Sequence, residues 1–452
     1  MTENHLVVNE PRIGWLKDEN SNALHSAVML EDTSESIKLT VPLLSFDLLG
    51  TANSAYGYES WFTPSGIVVN GVPSKEGKCP KNLMFFDPGG TVVLVDCQTT
   101  RTSYRIGGGA GQGQIIANYA VLGGRTLKYG RINGMRTEIE GLLGWFGQSM
   151  GTVTRETDDQ GRLVKSGFEF NHTDPMPISS SLNLSFVGDW SLRSNLHEGI
   201  VSGTESCYVE TSVKRGRSWQ EHLEAHEAIR DLLVVAMWQQ VGFKSLAVYR
   251  EDDLAALPNG VIMGKWKEVV THRIARSVKG NISHTALLRY ADLGPGGIRR
   301  WIKLRQMMPK MIGALVAIQD SNQLYLETLI LNTSIALENL GFYLAKKKGT
   351  SQYLNKWGQL KTFRIGLELV RGTLPDAVLP DWDLWIDEAI DCYMGTKHSG
   401  RQVPDDLVRM NTWRQNVIVL RSWIARYLDL PEQTLLERLR LDALSRPYQA
   451  ME

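Results

Sequence analysis

Short apolar runs separated by glycine-rich turns occupy the chain from about Ile37 to Phe170: LTVPLLSF, GIVVNGV, NLMFF, TVVLVDC and IIANYAVLGG, with DPGG and NG between them. Enrichment in Val, Ile, Tyr and Phe with this punctuation predicts antiparallel strands folded as a sandwich or barrel. A second cluster, VKSGFEFN, SLNLSFVGDWSL and SCYVETSV, carries the alternation to about Val213, which leaves room for two lobes. The period changes at Ser218. Trp219, Leu223, Ile229, Leu232, Leu233, Ala236 and Val241 recur mostly at helical spacing and predict one helix over 218–242. Strand-like LAVYRED and VIMGKWKEVV follow, and GPGG at Gly294–Gly297 breaks the pattern.

Beyond that break the spacing predicts helices over 298–319, 322–347, 354–370, from near Asp381, and over 404–428. The second is apolar on most faces, which places it at the centre of a bundle. The fourth sets Trp382, Trp385, Ile386, Ala389, Ile390 and Tyr393 on one stripe. The fifth buries Leu407, Met410, Val417, Leu420, Ile424 and Leu428, with Pro404 in its first turn and Pro431 closing it. The predicted class is α+β: a β-rich sandwich or barrel-like region over 1–297, its lobes divided near 150–215, then an all-α bundle over 298–452.

Composition narrows the field. A chain of 452 residues, 42% hydrophobic and 22% charged, belongs with folded proteins and has the length of about three domains. Lys plus Arg number 49 and Asp plus Glu 49, which excludes a globally basic nucleic-acid coat. That balance averages two unlike parts, because residues 298–452 hold 21 cations against 17 carboxylates and the preceding residues are correspondingly acidic. RNA contact would then run through a local patch, which the acidic part would restrain. Cys79, Cys97, Cys207 and Cys392 form no C-x-x-C pair and read as reduced thiols. With no apolar run of membrane-spanning length and no signal-like N-terminus, the expected compartment is the cytoplasm.

Several motifs compete for chemistry. GGGAGQG at Gly107–Gly113 misses the glycine positions of a dinucleotide fingerprint and lacks the Gly-Lys-Ser/Thr of a P-loop, so it is expected to be a loop between strands. His222 and His226 lie four apart, but H-L-E-A-H puts the glutamate in the wrong place for a zinc protease, and a solvated helix face is expected. Arg217 and His222 make an R-x4-H spacing. Lys346, Lys347 and Lys348 are expected to cap a helix end. Arg299, Arg300, Lys303, Arg305 and Lys310 form a positive edge that suits either an ordinary solvated face or contact with a phosphate backbone. In IDEAIDCYMGTKHSG, His398 falls off the apolar stripe at a helix C-terminus, near Met394 and Asp391, where an accessible histidine suits acid/base work or simply caps the helix before Gly400.

The ALENLGFYLA helix (Ala336–Ala345), the later helix ending in K-H-S-G and the long final helix resemble the HEPN superfamily. With WFTPSGIVV, NLMFFDPGGTVVLVDC and EIEGLLGWFG before them, the chain resembles ApeA-type anti-phage proteins, in which a β-rich N-terminal domain precedes a HEPN domain. The resemblance implies an abortive-infection protein with a metal-independent endoribonuclease that needs no cofactor. Its partners would be RNA, transfer RNA included, a phage-encoded trigger protein, and a second copy of the chain through the helical domain.

In that family an arginine and a histidine spaced R-x4 to R-x6-H act on RNA, and His398 maps onto the histidine. The arginine would fall at Tyr393, Cys392 or Asp391, and none of these is one. Lys397 and Arg401 are therefore expected beside His398 as catalytic cations. Arg409 and Arg414, with Arg299, Arg300 and Lys303, are expected to contact RNA; Asp391 tunes the histidine and Tyr393 supports it. The rival expectation is a non-catalytic recognition and dimerisation protein with a degenerate HEPN domain.

Overall fold

The computed structural model describes residues 4–17, 27–43, 58–62, 68–69, 72–73, 78–103, 111–195, 197–256, 262–263, 265–276, 285–321, 325–349 and 352–449. The chain is α+β, a large antiparallel sheet followed by a helical region, as its spacing predicts. It forms two compact units whose segments interleave in sequence. One holds Met1–Glu138, Glu210–Glu224 and Phe243–Arg276; the other holds Ile139–Val209, Ala225–Gly242 and Ser277–Glu452.

In the first unit the strands follow the order Ile132–Ile139, Phe243–Tyr249, Lys267–Thr271, Tyr119–Leu122, Gly90–Val95, Asn82–Asp87, Arg12–Lys17, Ala27–Asp32, Ile37–Leu43, Gly111–Ala117 and Gln98–Ser103. Asn82–Asp87 and Gly90–Val95 pair antiparallel, Leu83 opposite Leu94 and Phe85 opposite Val92, across the turn that DPGG makes. Alternate side chains enter two different cores. Leu83, Phe85, Val92 and Leu94 join one cluster, and Met84, Val93 and Val95 join another on the opposite face. Burial on both faces is why NLMFF and TVVLV read as unbroken apolar runs rather than as alternation. Of the glycine loop, residues 107–110 lie outside the described residues. Gly111–Ala117 is a strand, in which a Cβ at Gly113 would sit 2.4 Å from the Phe62 ring.

In the second unit Leu142–Phe146 is a short helix, α1. The hairpin Gly151–Thr157 with Leu163–Phe170 pairs antiparallel, as does Met176–Ser179 with Leu184–Asn195. The helix predicted over 218–242 is Trp219–Met237 (α2). Its first turns place Trp219 and Leu223 in the first unit's core, and its remainder belongs to the second unit.

The helical region departs from its predicted boundaries at prolines and glycines. GPGG does not start a helix. Tyr290–Met307 (α3) begins before it and kinks at Gly294, whose φ of +52° and ψ of −170° let the chain turn and re-enter a helix with Pro295 in its new first turn. The helix expected over 298–319 ends at Met307, because Pro309 opens a second one, Pro309–Asp320 (α4). Leu326–Lys348 (α5) follows, then Phe363–Arg371 (α6), shorter than the predicted 354–370. Trp382–Lys397 (α7) matches expectation, and Asp406–Tyr427 (α8) falls within the predicted span but starts after Pro404, because the Asp405 side chain caps it. Pro431 does not end the helical region but precedes Glu432–Leu441 (α9).

Packing in this unit follows the apolar stripes. α5 touches α4, α6, α7 and α8 and is the central helix. Its Gly341 meets the backbone of Gly366 on α6, where an added Cβ would lie 2.6 Å from the Gly366 Cα. α8 is buried on every side from Asn416 to Ala425. Within it Arg421, 1% exposed, donates to the carbonyls of Val235 (2.9 Å) and Ala236 (3.0 Å) and pairs with Asp442 at 2.6 Å. The guanidinium thus satisfies carbonyls at the end of α2 that helix geometry leaves open. Trp301 on α3 donates to the Ala228 carbonyl at 2.6 Å, and Arg305 holds Asp231 at 2.6 Å.

Candidate functional site

α7 is fixed from its start. The Asp381 side chain accepts the Leu384 N–H at 2.9 Å, an N-cap worth about 1 kcal/mol. Trp382, Trp385, Ile386, Ala389 and Tyr393 are buried along the predicted stripe. The Trp385 indole donates to Asn416 Oδ1 at 2.9 Å, and Asn416 donates to Thr333 at 3.2 Å, so one buried hydrogen-bonded chain ties α7 to α8 and α5. Tyr393 packs on Phe363, ring centroids 5.1 Å apart. The end of the helix is therefore held in place by side chains that point inward.

His398 is the residue after the last helical turn. Its backbone N–H donates to the Met394 carbonyl at 3.0 Å, and Arg401 N–H donates to the His398 carbonyl at 3.0 Å, closing a turn. The chain then passes back over Gly395, where a Cβ would lie 2.8 Å from the Gln402 carbonyl oxygen. Lys397, His398 and Arg401 are all exposed on this turn. The His398 ring has no hydrogen-bond partner among the described residues. Lys397 Nζ lies 3.4 Å from the Tyr393 hydroxyl and 5.1 Å from its ring. Asp391 is exposed two helical turns earlier. This places a free imidazole and two cations on a stable edge, the groups needed to move a proton beside a phosphate.

The other expected RNA contacts are not gathered there. Arg409 is engaged by Glu327 at 2.7 Å and by Asp406. Arg414 is 6% exposed and bonds the Leu444 carbonyl and Asn411; burial pushes its pKa down. Its guanidinium is spent inside the bundle rather than offered to a ligand. Arg299 donates to the Ile178 carbonyl at 2.8 Å, and Arg300 to the Leu428 carbonyl and Asp429, both at 3.0 Å. Lys303 is exposed with no carboxylate partner among the described residues.

The histidines of α2 correct the solvated-face expectation. His222 is 2% exposed and His226 is fully buried. His222 Nε2 lies 3.3 Å from the Ile132 carbonyl and Nδ1 2.7 Å from the Thr211 hydroxyl. A carbonyl only accepts, so Nε2 carries the proton and Nδ1 accepts from Thr211, a neutral ring with both nitrogens used. Burial holds its pKa below the ordinary histidine value. The apolar stripe of α2 is wider than its charged residues suggest, and it takes both histidines inside.

Among the described residues no group of three His, Cys, Asp or Glu side chains is placed to hold a metal ion, and no helix is long and apolar enough to cross a membrane. None of the four cysteines is in a disulfide; burial pushes Cys79 up to about 12 and Cys392 up to about 11, which leaves both poor nucleophiles. A separate cavity of about 600 Å³ in the first unit is lined by Arg131, Asn133, Lys214, Arg215 and Arg250 together with Glu251 and Asp252.

The family described as ApeA N-terminal domain 1 matches residues 12–301. No curated protein and no solved structure matches the chain.

Proposed function

The chain belongs to the ApeA N-terminal domain 1 family, and from that membership we propose that it is an anti-phage defence protein, a β-rich sensing part over 1–297 joined to a HEPN-like helical part over 298–452 that cleaves cellular RNA on infection. The observation that carries the enzymatic half is the exposed turn at the end of α7, with His398, unpartnered among the described residues, between Lys397 and Arg401. His398 takes the proton from a ribose 2′-hydroxyl. The freed oxygen attacks the adjacent phosphorus, the bond to the 5′-oxygen breaks, and that oxygen leaves with the proton that the His398 imidazolium gives back. Lys397 and Arg401 offset the charge that builds on the phosphorane oxygens. The products carry a 2′,3′-cyclic phosphate and a 5′-hydroxyl, and no metal takes part. A second copy docked through the helical part would bring two such turns to one phosphate.

The test is cleavage of total RNA by the purified full chain in EDTA, with and without infected-cell extract, compared with His398→Ala. Cleavage that the substitution removes supports the reading. Intact RNA in every lane, or cleavage that His398→Ala leaves unchanged, overturns it. A second reading, a recognition and dimerisation protein without catalysis, is favoured by one observation: the positions where the family's arginine would stand hold buried Cys392, buried Tyr393 and a carboxylate, Asp391. Intact RNA accompanied by retained protection against phage would support that alternative.

A further inference from the structure

Residues 339–367 contain Lys346, Lys347, Lys348, Lys356, Lys361 and Arg364 and not one Asp or Glu. Arg364 is paired with Asp387. The five lysines are exposed, and none has a carboxylate partner among the described residues. The negative end of the α5 dipole accounts for Lys346, Lys347 and Lys348, but Lys356 and Lys361 lie beyond the helix and have no such reason to be there.

The segment that carries them is a preformed loop. Leu354 and Leu360 form an antiparallel bridge, Asn355 N–H donates to the Gln359 carbonyl at 2.7 Å, and Lys361 N–H to the Tyr353 carbonyl at 3.0 Å. The Asn355 side chain accepts the N–H groups of Trp357 (2.9 Å) and Gln359 (3.0 Å), and Gly358 supplies the left-handed φ of +73° that closes the turn. At the apex stands Trp357, 72% exposed, with Lys356 Nζ 4.5 Å from its ring. Lys348 Nζ lies 5.9 Å from the Tyr353 ring, which joins the end of α5 and the loop into one surface.

A tryptophan normally buries its large apolar ring, so one held outward by a hydrogen-bonded loop among unpaired lysines needs a partner with both a flat apolar face and negative charge. Unpaired bases on a phosphate backbone have both, and aromatic platforms in electropositive surroundings are how proteins hold single strands without reading sequence. A duplex keeps its base faces stacked inside and offers the ring nothing. We propose that this surface binds single-stranded RNA, with a base stacked on Trp357 and backbone phosphates at Lys356, Lys361 and the lysines ending α5. The proposal rests on the nuclease reading only for the choice of RNA as the polynucleotide.

The experiment uses the full chain and a fluorescein-labelled, 2′-O-methylated oligouridine of about fifteen nucleotides, a length that spans a typical single-strand site. It lacks the hydroxyl that cleavage needs, so binding is read by anisotropy whether or not the protein is a nuclease. Trp357→Ala weakens binding about five- to hundredfold, and Trp357→Phe restores most of it. Lys356→Gln combined with Lys361→Gln lowers the slope of log affinity against log salt by about 1.4. Unchanged affinity in Trp357→Ala with an unchanged melting temperature overturns the proposal, as does equal loss of affinity for a duplex of the same length. So does an effect of Trp357→Ala confined to phosphatidylserine vesicles.

Discussion

His222 and His398 sit in different units and carry opposite lessons. His222 has an arginine five residues before it, the spacing a HEPN nuclease uses, yet both ring nitrogens are consumed by Thr211 and the Ile132 carbonyl and the ring is shut away. His398 lacks the arginine, yet its ring is exposed on a turn held by the packing of α7 and by the close passage over Gly395. A two-residue spacing says how far apart groups lie along the chain. Whether either group meets a substrate depends on which side of the element the rest of the protein covers.

The largest expected effect bears directly on this contrast. His398→Ala lowers RNA cleavage by about 10²- to 10⁴-fold, the usual worth of a general acid/base, and leaves the melting temperature in place because the residue is exposed. A large stability loss with cleavage intact would reverse the roles assigned to the two histidines. His222→Ala does the opposite: it removes the buried ring that bonds the Thr211 hydroxyl and the Ile132 carbonyl and costs about 1–3 kcal/mol in urea denaturation, with cleavage by the folded fraction unchanged. A midpoint shift within error would mean that the ring is not a bonded core group.

Asp391→Arg sharpens the comparison by supplying the absent cation. The position is exposed and stands seven residues before His398, an R-x6-H spacing. Cleavage rises about tenfold, a barrier reduction of about 1.4 kcal/mol. No gain, or a loss, in initial-rate assays would show that Lys397 and Arg401 already do all that a cation does there. The smallest effect is pH dependence. Burial lowers the His222 pKa in the folded chain, so at mildly acidic pH the unfolded chain takes up a proton that the native one refuses. Its stabilising contribution is whole above the unfolded value, near 6.5, and fades as pH falls through that value towards the folded one. The urea midpoint therefore drops between about pH 7.5 and 5.5, and His222→Gln drops less; parallel curves would remove His222 as a cause.

Much of the architecture was legible in the residues. The strands Asn82–Asp87, Gly90–Val95 and Tyr119–Leu122 and the stripe of α7 follow from local apolar spacing, which depends on neighbours a few residues away, whereas the polar strand Gln98–Ser103 and the strand start at Gly111, expected as loop, do not. His398 was legible too, since its place off that stripe is a local property. Helix ends were less so. Gly294 bends α3 instead of stopping it, Pro309 begins a helix inside a predicted one, and Pro431 precedes α9, because a proline is compatible both with ending one helix and with starting the next. The lysines ending α5 looked complete as caps until the loop beyond them set Trp357 and two more lysines on the same surface.

The sequence by itself determined the class, the order of most strands before the helical region and the accessible histidine at the end of α7. Tertiary structure alone decided which charged and polar groups are spent inside. Arg414 and Arg421 are cations on the same helix as Arg409, and nothing in their spacing separates them. Arg421 is wholly enclosed because the end of α2 brings open carbonyls and Asp442 within reach. Desolvating a guanidinium is costly unless every donor finds an acceptor, and those acceptors come from segments far away in the chain. Local pattern has no access to them, so the fate of each cation was settled only when the helices packed.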